Sequence, residues 1–400
     1  MFSVIQNRRI WLAALVALSA PAGACGLPAG TLALQTNQFQ DEPRWRGQTS
    51  GKTTSRARLE VECLVRLGDR SGIDMDLYGD YDTVSDDAWV DPYDLHLYKE
   101  LDNATLAVGY QQKPMGYLEA ENPNGLYNPK SYREGPFDER PQGRLALGAI
   151  YRQPSLRLHV DVMPQKQHEE WAEPEGRFRR GGFVVTDEHY ADDTDVSAQI
   201  RLDYFASDWE ITAMAWRGLS PQATITPNTQ QPGTVTENYE LIHQAGISAL
   251  YLVNNWSLKA DAYYRSSSQR DVVSLAPGLA WNFFSVLDTR IDVEMFLEGY
   301  FLDSKNDTGK EAPPPTSFDE DVYFGTQINF NGNRNSRLRL GMIHDVAKGS
   351  TSTQLEIKQA LLPQLEYEAG LEWFAPNEQD SGQLGFENDS HAYLNFIWYY

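Results

Sequence analysis

Alternation with a period of two, sustained from about residue 31 to the C-terminus, is the feature that most limits the folds open to this chain. In a strand, successive side chains point to opposite faces, so such a rhythm marks strands whose two faces meet different solvents. Leu59, Val61, Cys63, Val65 and Leu67 alternate with Arg58, Glu60, Glu62 and Arg66, and Ile73, Met75, Leu77, Gly79 and Tyr81 alternate with Asp74, Asp76, Asp80 and Asp82. The pattern returns at 93–97, 145–151, 156–162, 196–204, 256–264, 291–297, 322–328, 338–342 and 365–373. At the end of the chain Ala392, Leu394, Phe396, Trp398 and Tyr400 share one face. A strand with one fully apolar face and nothing after it suits the closing strand of a barrel embedded in hydrocarbon. The plainer alternative is the last strand of a soluble sandwich.

The connections alternate in length. Short ones lie near 68–71, 102–103, 153–154, 206–208, 253–255, 286–289, 331–335 and 361–363, rich in the Gly, Asp, Asn, Pro and Ser that tight turns require. Longer ones fall at 84–91, 112–141, 164–193, 218–236, 303–319 and 375–385, with two modest ones near 266–270 and 348–351. Bacterial barrels place short turns in the periplasm and long loops outside. The strand from Arg56 must therefore descend, and an ascending strand, for which only residues 31–40 qualify, must precede it. The expected fold is all-β: a transmembrane antiparallel up-and-down β-barrel of about 18 strands. Its last strand should close on residues 31–40. If that segment and the stretch 270–286, interrupted by Pro277 and Gly278, are not strands, the count falls to about 16.

Residues 1–24 read as a secretory signal, with Arg8 and Arg9, an apolar run from Ile10 to Leu18, and Ala22-Gly23-Ala24 before Cys25. This leaves 25–400 as a single barrel domain. Of the 34 Lys and Arg, two lie in the signal, so 32 face 56 Asp and Glu, a net charge of −24. Such a chain repels nucleic acid. Cys25 also admits a lipoprotein reading, against which stands Ala22 in place of the usual Leu. With Cys63 as the only other cysteine, no disulfide framework is expected. A charged fraction of 22% resembles that of a soluble protein. A barrel tolerates it because only alternate residues meet lipid. The 21 Tyr, 16 Phe and 10 Trp suit girdles at two membrane interfaces.

The terminal strand resembles that of Gram-negative outer-membrane β-barrels, which their assembly machinery reads. The overall plan resembles the 18-stranded substrate-specific porins. Leu106-Ala-Val-Gly-Tyr-Gln-Gln112, followed by Asn122-Pro123, Asn128-Pro129 and Tyr132-Arg133-Glu134, is similar to alginate-export-type barrels. The resemblance implies a place in the cell outer membrane, contact with its lipids and lipopolysaccharide, passage of small polar solutes, and no cofactor. An exporter of a polyanion should line its path with Arg and Lys. The inward set here has an acidic surplus, so that substrate is not carried across.

A bore of 16 to 18 strands holds water, and the residues alternating with the lipid-facing set line it. Among them are Arg144, Arg157, Arg337 and Arg339, and Asp74, Asp76, Asp80, Asp292, Glu294 and Glu368. Same-sign charges on neighbouring strands would set a transverse field that filters solutes. The bland alternative is that they solvate the lumen and pair with each other. The loop at 112–141, with two Asn-Pro pairs and several aromatics, is expected to fold inward and narrow the bore. Tyr117, Tyr132, Arg133 and Arg140, with Tyr127 and Phe137, would then meet a solute first. Catalysis is not expected, because none of the seven His is followed two residues later by a Ser, which would need such a base. His189, near Asp187, is the one candidate for acid-base chemistry. No metal site is expected: the Asp74-x-Asp76 run has Tyr78 where a third calcium ligand should stand. The functional expectation is a passive channel, general or substrate-selective, for small polar or charged solutes. The alternative is a closed or plugged barrel serving as an accessory, surface-binding or polysaccharide-export protein.

Overall fold

The computed structural model describes residues 29–400 apart from 49–50, 138, 180, 192–195, 230, 232, 307–315, 317, 333, 335 and 381–382. The expected signal sequence and Cys25 lie outside the described residues. An 18-stranded antiparallel sheet dominates. Its strands are β1 Ala29–Phe39, β2 Thr53–Gly68, β3 Ser71–Asp82, β4 Asp87–Glu100, β5 Ala104–Gln111 and β6 Arg144–Gln153. Next come β7 Leu156–Met163, β8 Ser197–Phe205, β9 Trp209–Leu219, β10 Leu241–Val253, β11 Trp256–Ser266 and β12 Arg270–Phe283. The last are β13 Ile291–Asn306, β14 Glu320–Phe330, β15 Ser336–Asp345, β16 Thr351–Leu362, β17 Leu365–Ala375 and β18 His391–Tyr399.

Each strand pairs with its sequence neighbours, and β1 pairs with β18 from Thr31 opposite Tyr399 to Phe39 opposite His391. The sheet therefore closes on itself, which is the condition for strands to stand in lipid with their backbone groups satisfied. Both doubtful segments are strands, so the count is 18 and not 16. Within β12, Pro277 faces Ala260 of β11. On the other side the pairing with β13 stops at Leu275–Phe301 and resumes at Gly278–Glu298. A proline offers no amide to a ladder, which accounts for the gap.

Two features depart from the sequence reading. The link expected at 84–91 is only a turn, with Asp86 in the left-handed region at φ 54°, and β4 resumes at Asp87. Short strands also stand in the long loops: Lys130–Ser131 pairs with Arg140–Pro141, and Val184–Tyr190 runs parallel to Thr234–Tyr239, which pairs with Thr224–Pro227. These elements are too short for alternation to reveal. In addition, Cys63 is disulfide-bonded, a bridge not anticipated from sequence.

The barrel is inverted relative to a soluble protein. Outward residues such as Leu34, Leu147, Ile200, Leu297, Leu371 and Trp398 are exposed, whereas inward Gln35, Asp161, Gln199, Ser248 and Asn395 are buried. So large an exposed apolar band requires a hydrocarbon solvent. Near the short turns, Trp209 stacks on Tyr251 and Trp256 on Trp281, each at 4.3 Å, forming part of an interfacial aromatic girdle.

Along each strand the inward set changes character. On β3, Asp74 and Asp76 are half-buried but Tyr78, Asp80 and Asp82 are buried; on β13, Asp292 and Glu294 give way to Phe296, Glu298 and Tyr300; on β17, Glu366 and Glu368 give way to Glu372 and Phe374. The half near the short turns is open to water. The half near the long loops is packed.

Candidate functional site: a loop across the bore

The packing comes from the third outer loop, residues 112–143 between β5 and β6, here L3. It turns into the barrel and crosses from one wall to the other. Near its start Lys113 forms an ion pair with buried Asp161 of β7. Met115, Leu126 and Tyr127 join Met163, Met214, Trp216 and Ile242 of the wall in one buried apolar cluster. Leu118 joins Ala276, Ala280, Phe296, Tyr300 and Tyr323 in a second.

Polar contacts pin the loop tip. The backbone amides of Glu119 and Ala120 donate to the Glu298 carboxylate at 2.8 and 3.1 Å, and the Glu121 amide donates to the Tyr300 hydroxyl at 3.0 Å. Asn124, wholly buried, donates from Nδ2 to the Ile247 carbonyl at 3.0 Å and the Ser248 hydroxyl at 3.1 Å. Two inward glycines make the seat. A Cβ on Gly246 would lie 2.0 Å from Asn124 Oδ1, and one on Gly278 would lie 2.6 Å from Leu118 Cδ2.

The second limb meets the opposite wall. Glu134 pairs with Arg58 of β2 and with Arg140 at 3.2 Å, and the Tyr78 hydroxyl donates to it at 2.5 Å. Burial would raise the Glu134 carboxyl, but Arg58, Arg140 and Arg56 outweigh it and hold it at about 2, below the ordinary 4.5. Arg56 donates to the Arg133 carbonyl at 2.8 Å. Lys130 bridges Glu121 at 2.6 Å and Glu139 at 2.7 Å, tying the two limbs together.

The fourth outer loop, residues 164–196 or L4, roofs the mouth. Arg177 donates from Nε to Asp389 at 2.7 Å and from Nη2 to the Asp41 carbonyl at 2.8 Å, with its guanidinium 4.2 Å from the centre of the Phe39 ring. Phe178 packs between Phe39 and His391.

The residues singled out from sequence fall into three groups. Arg133, Arg140, Tyr117 and Tyr132 stand on L3, but as parts of its anchorage: Arg140 lies over Tyr78 at 4.3 Å, Arg133 over Trp89 at 5.1 Å and against Glu170 at 2.9 Å, and Tyr132 stacks on Trp171 at 4.4 Å. Burial raises the Tyr117 phenol. Arg144 is fully buried, donating to the Leu126 carbonyl at 3.3 Å, and Asp80 is buried against Arg58; Tyr127 is likewise buried. These face the loop, not water. Asp74, Asp76, Asp292, Glu294, Arg157, Arg337, Arg339 and Glu368 stand in the half-open part of the bore. Arg337 pairs with Glu356 at 2.7 Å and Arg157 lies over Phe205 at 5.2 Å.

Sequence reading placed Arg339 inward but missed Glu119, which it meets, and the residues that hold Glu119 there. Glu119, exposed at the tip of L3, meets Lys259 of β11 at 2.9 Å and Arg339 of β15 at 3.9 Å. Glu298 and Asn124, which hold the tip there, carry no local motif. The inward glycines at 246 on β10 and 278 on β12 were the available signal. On the opposite wall, which the second limb meets, carboxylate oxygens of Glu60 and Glu62 of β2 and Asp76 of β3 lie within 4.8 Å of one another.

No protein-family model matches the sequence, and no curated protein does either. Solved structures do. OccAB1 of Acinetobacter baumannii is 10% identical with a TM-score of 0.52, covering 94% of this chain and 96% of its own. OccK11 (OpdR) of Pseudomonas aeruginosa is 12% identical at 0.51, covering 94% and 96%. A BenF-like porin from Pseudomonas fluorescens Pf-5 is 9% identical at 0.51, covering 94% and 99%. At these identities the likeness shows the fold.

Proposed function

We propose that this chain is an outer-membrane channel through which small polar solutes pass, with L3 as its constriction and a preference for cations. The observation that carries the reading is the change along each strand from a water-open, charged lumen to a section narrowed by an anchored loop. A closed sheet and an apolar exterior support a membrane place. The similar folds among proteins of Gram-negative bacteria support the outer membrane, with its lipids and lipopolysaccharide around the barrel. In the same reading, residues 1–24 direct export and are removed, and β18 is the segment the assembly machinery engages.

The sign of selectivity follows from which charges are already neutralised. In the open half, Arg337 pairs with Glu356, Lys358 with Glu366, Arg201 with Asp203 and Lys259 with Glu119. Glu60, Glu62, Asp74 and Asp76 have no Lys or Arg partner within ion-pair distance among the described residues. Their field on one side of the bore attracts cations and repels anions.

A closed barrel acting as an accessory or surface-binding protein is the second reading. The packed outer half and the Arg177-held roof favour it. Reconstitution into planar bilayers separates the two: discrete conductance steps support the channel, and their absence at all voltages supports the plug.

A further inference from the structure

On the flank of the barrel, at its outer rim, lies a cleft that the lumen does not use. Pairing of β4 with β5 ends at Leu95–Tyr110, whereas pairing of β4 with β3 continues to Asp87. The upper part of β4 thus has one edge without a strand. L3 ends against this edge at Gly143, where a Cβ would stand 2.3 Å from the Pro92 carbonyl oxygen. The start of L4 then runs back across it, with Gln167 Nε2 donating to the Gly143 carbonyl at 2.8 Å. The gap left between the β4 edge and L4 has a volume of about 310 Å³. That is at the small end of ligand cavities, which span roughly 300–1,000 Å³.

Its walls carry Asp91 of β4, Tyr110 of β5, Gln142, and Gln165, Gln167 and Glu170 of L4. Three carboxamides and two carboxylates in one cleft are an unusual lining. Gln142 is 4% exposed, and among the described residues neither its Oε1 nor that of Gln167 has a hydrogen-bond partner. A buried acceptor left unmade costs about 1–3 kcal/mol, which a ligand donor would recover once the amide turns toward it. Asp91 disfavours an anion, Glu170 being already paired with Arg133 at 2.9 Å, although Lys166 and His168 also reach the cleft. The only aliphatic side chains in the lining are Val90, Pro92 and the Lys166 stem, too few for a lipid tail. An added peptide strand is disfavoured too, because Pro92 supplies no amide on that edge.

A hydroxyl-rich neutral ligand fits what remains. Vicinal hydroxyls donate to amide and carboxylate oxygens and accept from amide N–H groups, and the Tyr110 ring offers a flat face to C–H bonds. We propose that this rim cleft binds a neutral saccharide unit. Val90 is exposed, and Tyr110 shares the strand face of exposed Leu106 and Val108. On the outer-membrane reading the sugar could come from a lipopolysaccharide core or from a free oligosaccharide.

Saturation-transfer NMR on the folded protein in detergent tests this with three probes: maltose, a lipopolysaccharide core oligosaccharide, and lipid A without sugar. Saturable binding of maltose or of the core oligosaccharide is expected, and which of the two binds identifies the source. Binding should fall at least tenfold in the double variant Gln142→Leu, Gln167→Leu, and also in Tyr110→Ala, a surface change that spares the loop should the double variant misfold. Conductance should not change in Tyr110→Ala, which lies outside L3. Failure of both sugars to bind, equal binding of lipid A, or binding untouched by Tyr110→Ala would overturn the proposal. A protein that binds sugar and never conducts would refute the channel and leave this site standing.

Discussion

Replacing Glu298 by Ala removes the acceptor for two L3 amides without touching any residue that faces the open lumen. The carboxylate is 2% exposed and accepts from Glu119 and Ala120 at 2.8 and 3.1 Å and from the Tyr300 hydroxyl at 2.7 Å. Hydrogen bonds to a charged group contribute about 1.5–3 kcal/mol each, so the two amides account for roughly 3–6 kcal/mol of the seat. At about 1.4 kcal/mol per decade, the seated-to-unseated ratio of the tip should fall by roughly 10²–10⁴. Asn124 and the Leu118 cluster remain, so the barrel itself should fold. Single-channel recording in planar bilayers should then show larger and noisier steps than wild type. Glu298→Gln keeps one acceptor and should fall between the two. A folded Glu298→Ala variant with wild-type conductance and noise would refute the idea that the seated tip sets the constriction.

Gly246→Leu should displace Asn124, because even a Cβ would come within 2.0 Å of its Oδ1, and should enlarge conductance without Glu298 being changed. Unaltered steps in that variant would place the narrow point elsewhere. Arg177→Ala removes the hydrogen bonds to Asp389 and the Asp41 carbonyl that hold the roof, so trypsin should cleave L4 at Arg179 markedly faster than in wild type. Equal cleavage rates would show that the roof is held by other contacts. The Glu134 carboxyl is lowered to about 2, so its contribution to anchoring L3 is fully present above the ordinary 4.5 and is lost as pH falls through about 2. Protease protection of residues 130–140 should therefore be flat from pH 5 to 8 and decline only in the strongly acid range, whereas a midpoint near pH 5 would contradict that assignment.

Much of the barrel was legible because lipid on one side and water on the other impose strict alternation. The short connections and the closure of residues 31–40 on the C-terminal strand followed from the same constraint. Burial within the lumen was not legible. Arg144 and Arg339 are both inward by parity, yet one is sealed under Leu126 and the other faces water beside Glu119. The difference lies in where L3 comes to rest, and that depends on partners such as Glu119 and Glu298, separated by 179 residues. Alternation reports which face a side chain occupies. It carries no information about what a loop later lays over it.

The channel and its sign of selectivity meet the same measurement: the reversal potential of the reconstituted protein in a planar bilayer under a KCl gradient. Discrete steps should appear, with a potential of the sign set by potassium passing more readily than chloride. Neutralising Glu60, Glu62 and Asp76 together should move that potential toward zero. A membrane that stays silent, or a potential of the opposite sign that the neutralised variant leaves in place, would contradict passage through this bore under the control of its unpaired carboxylates.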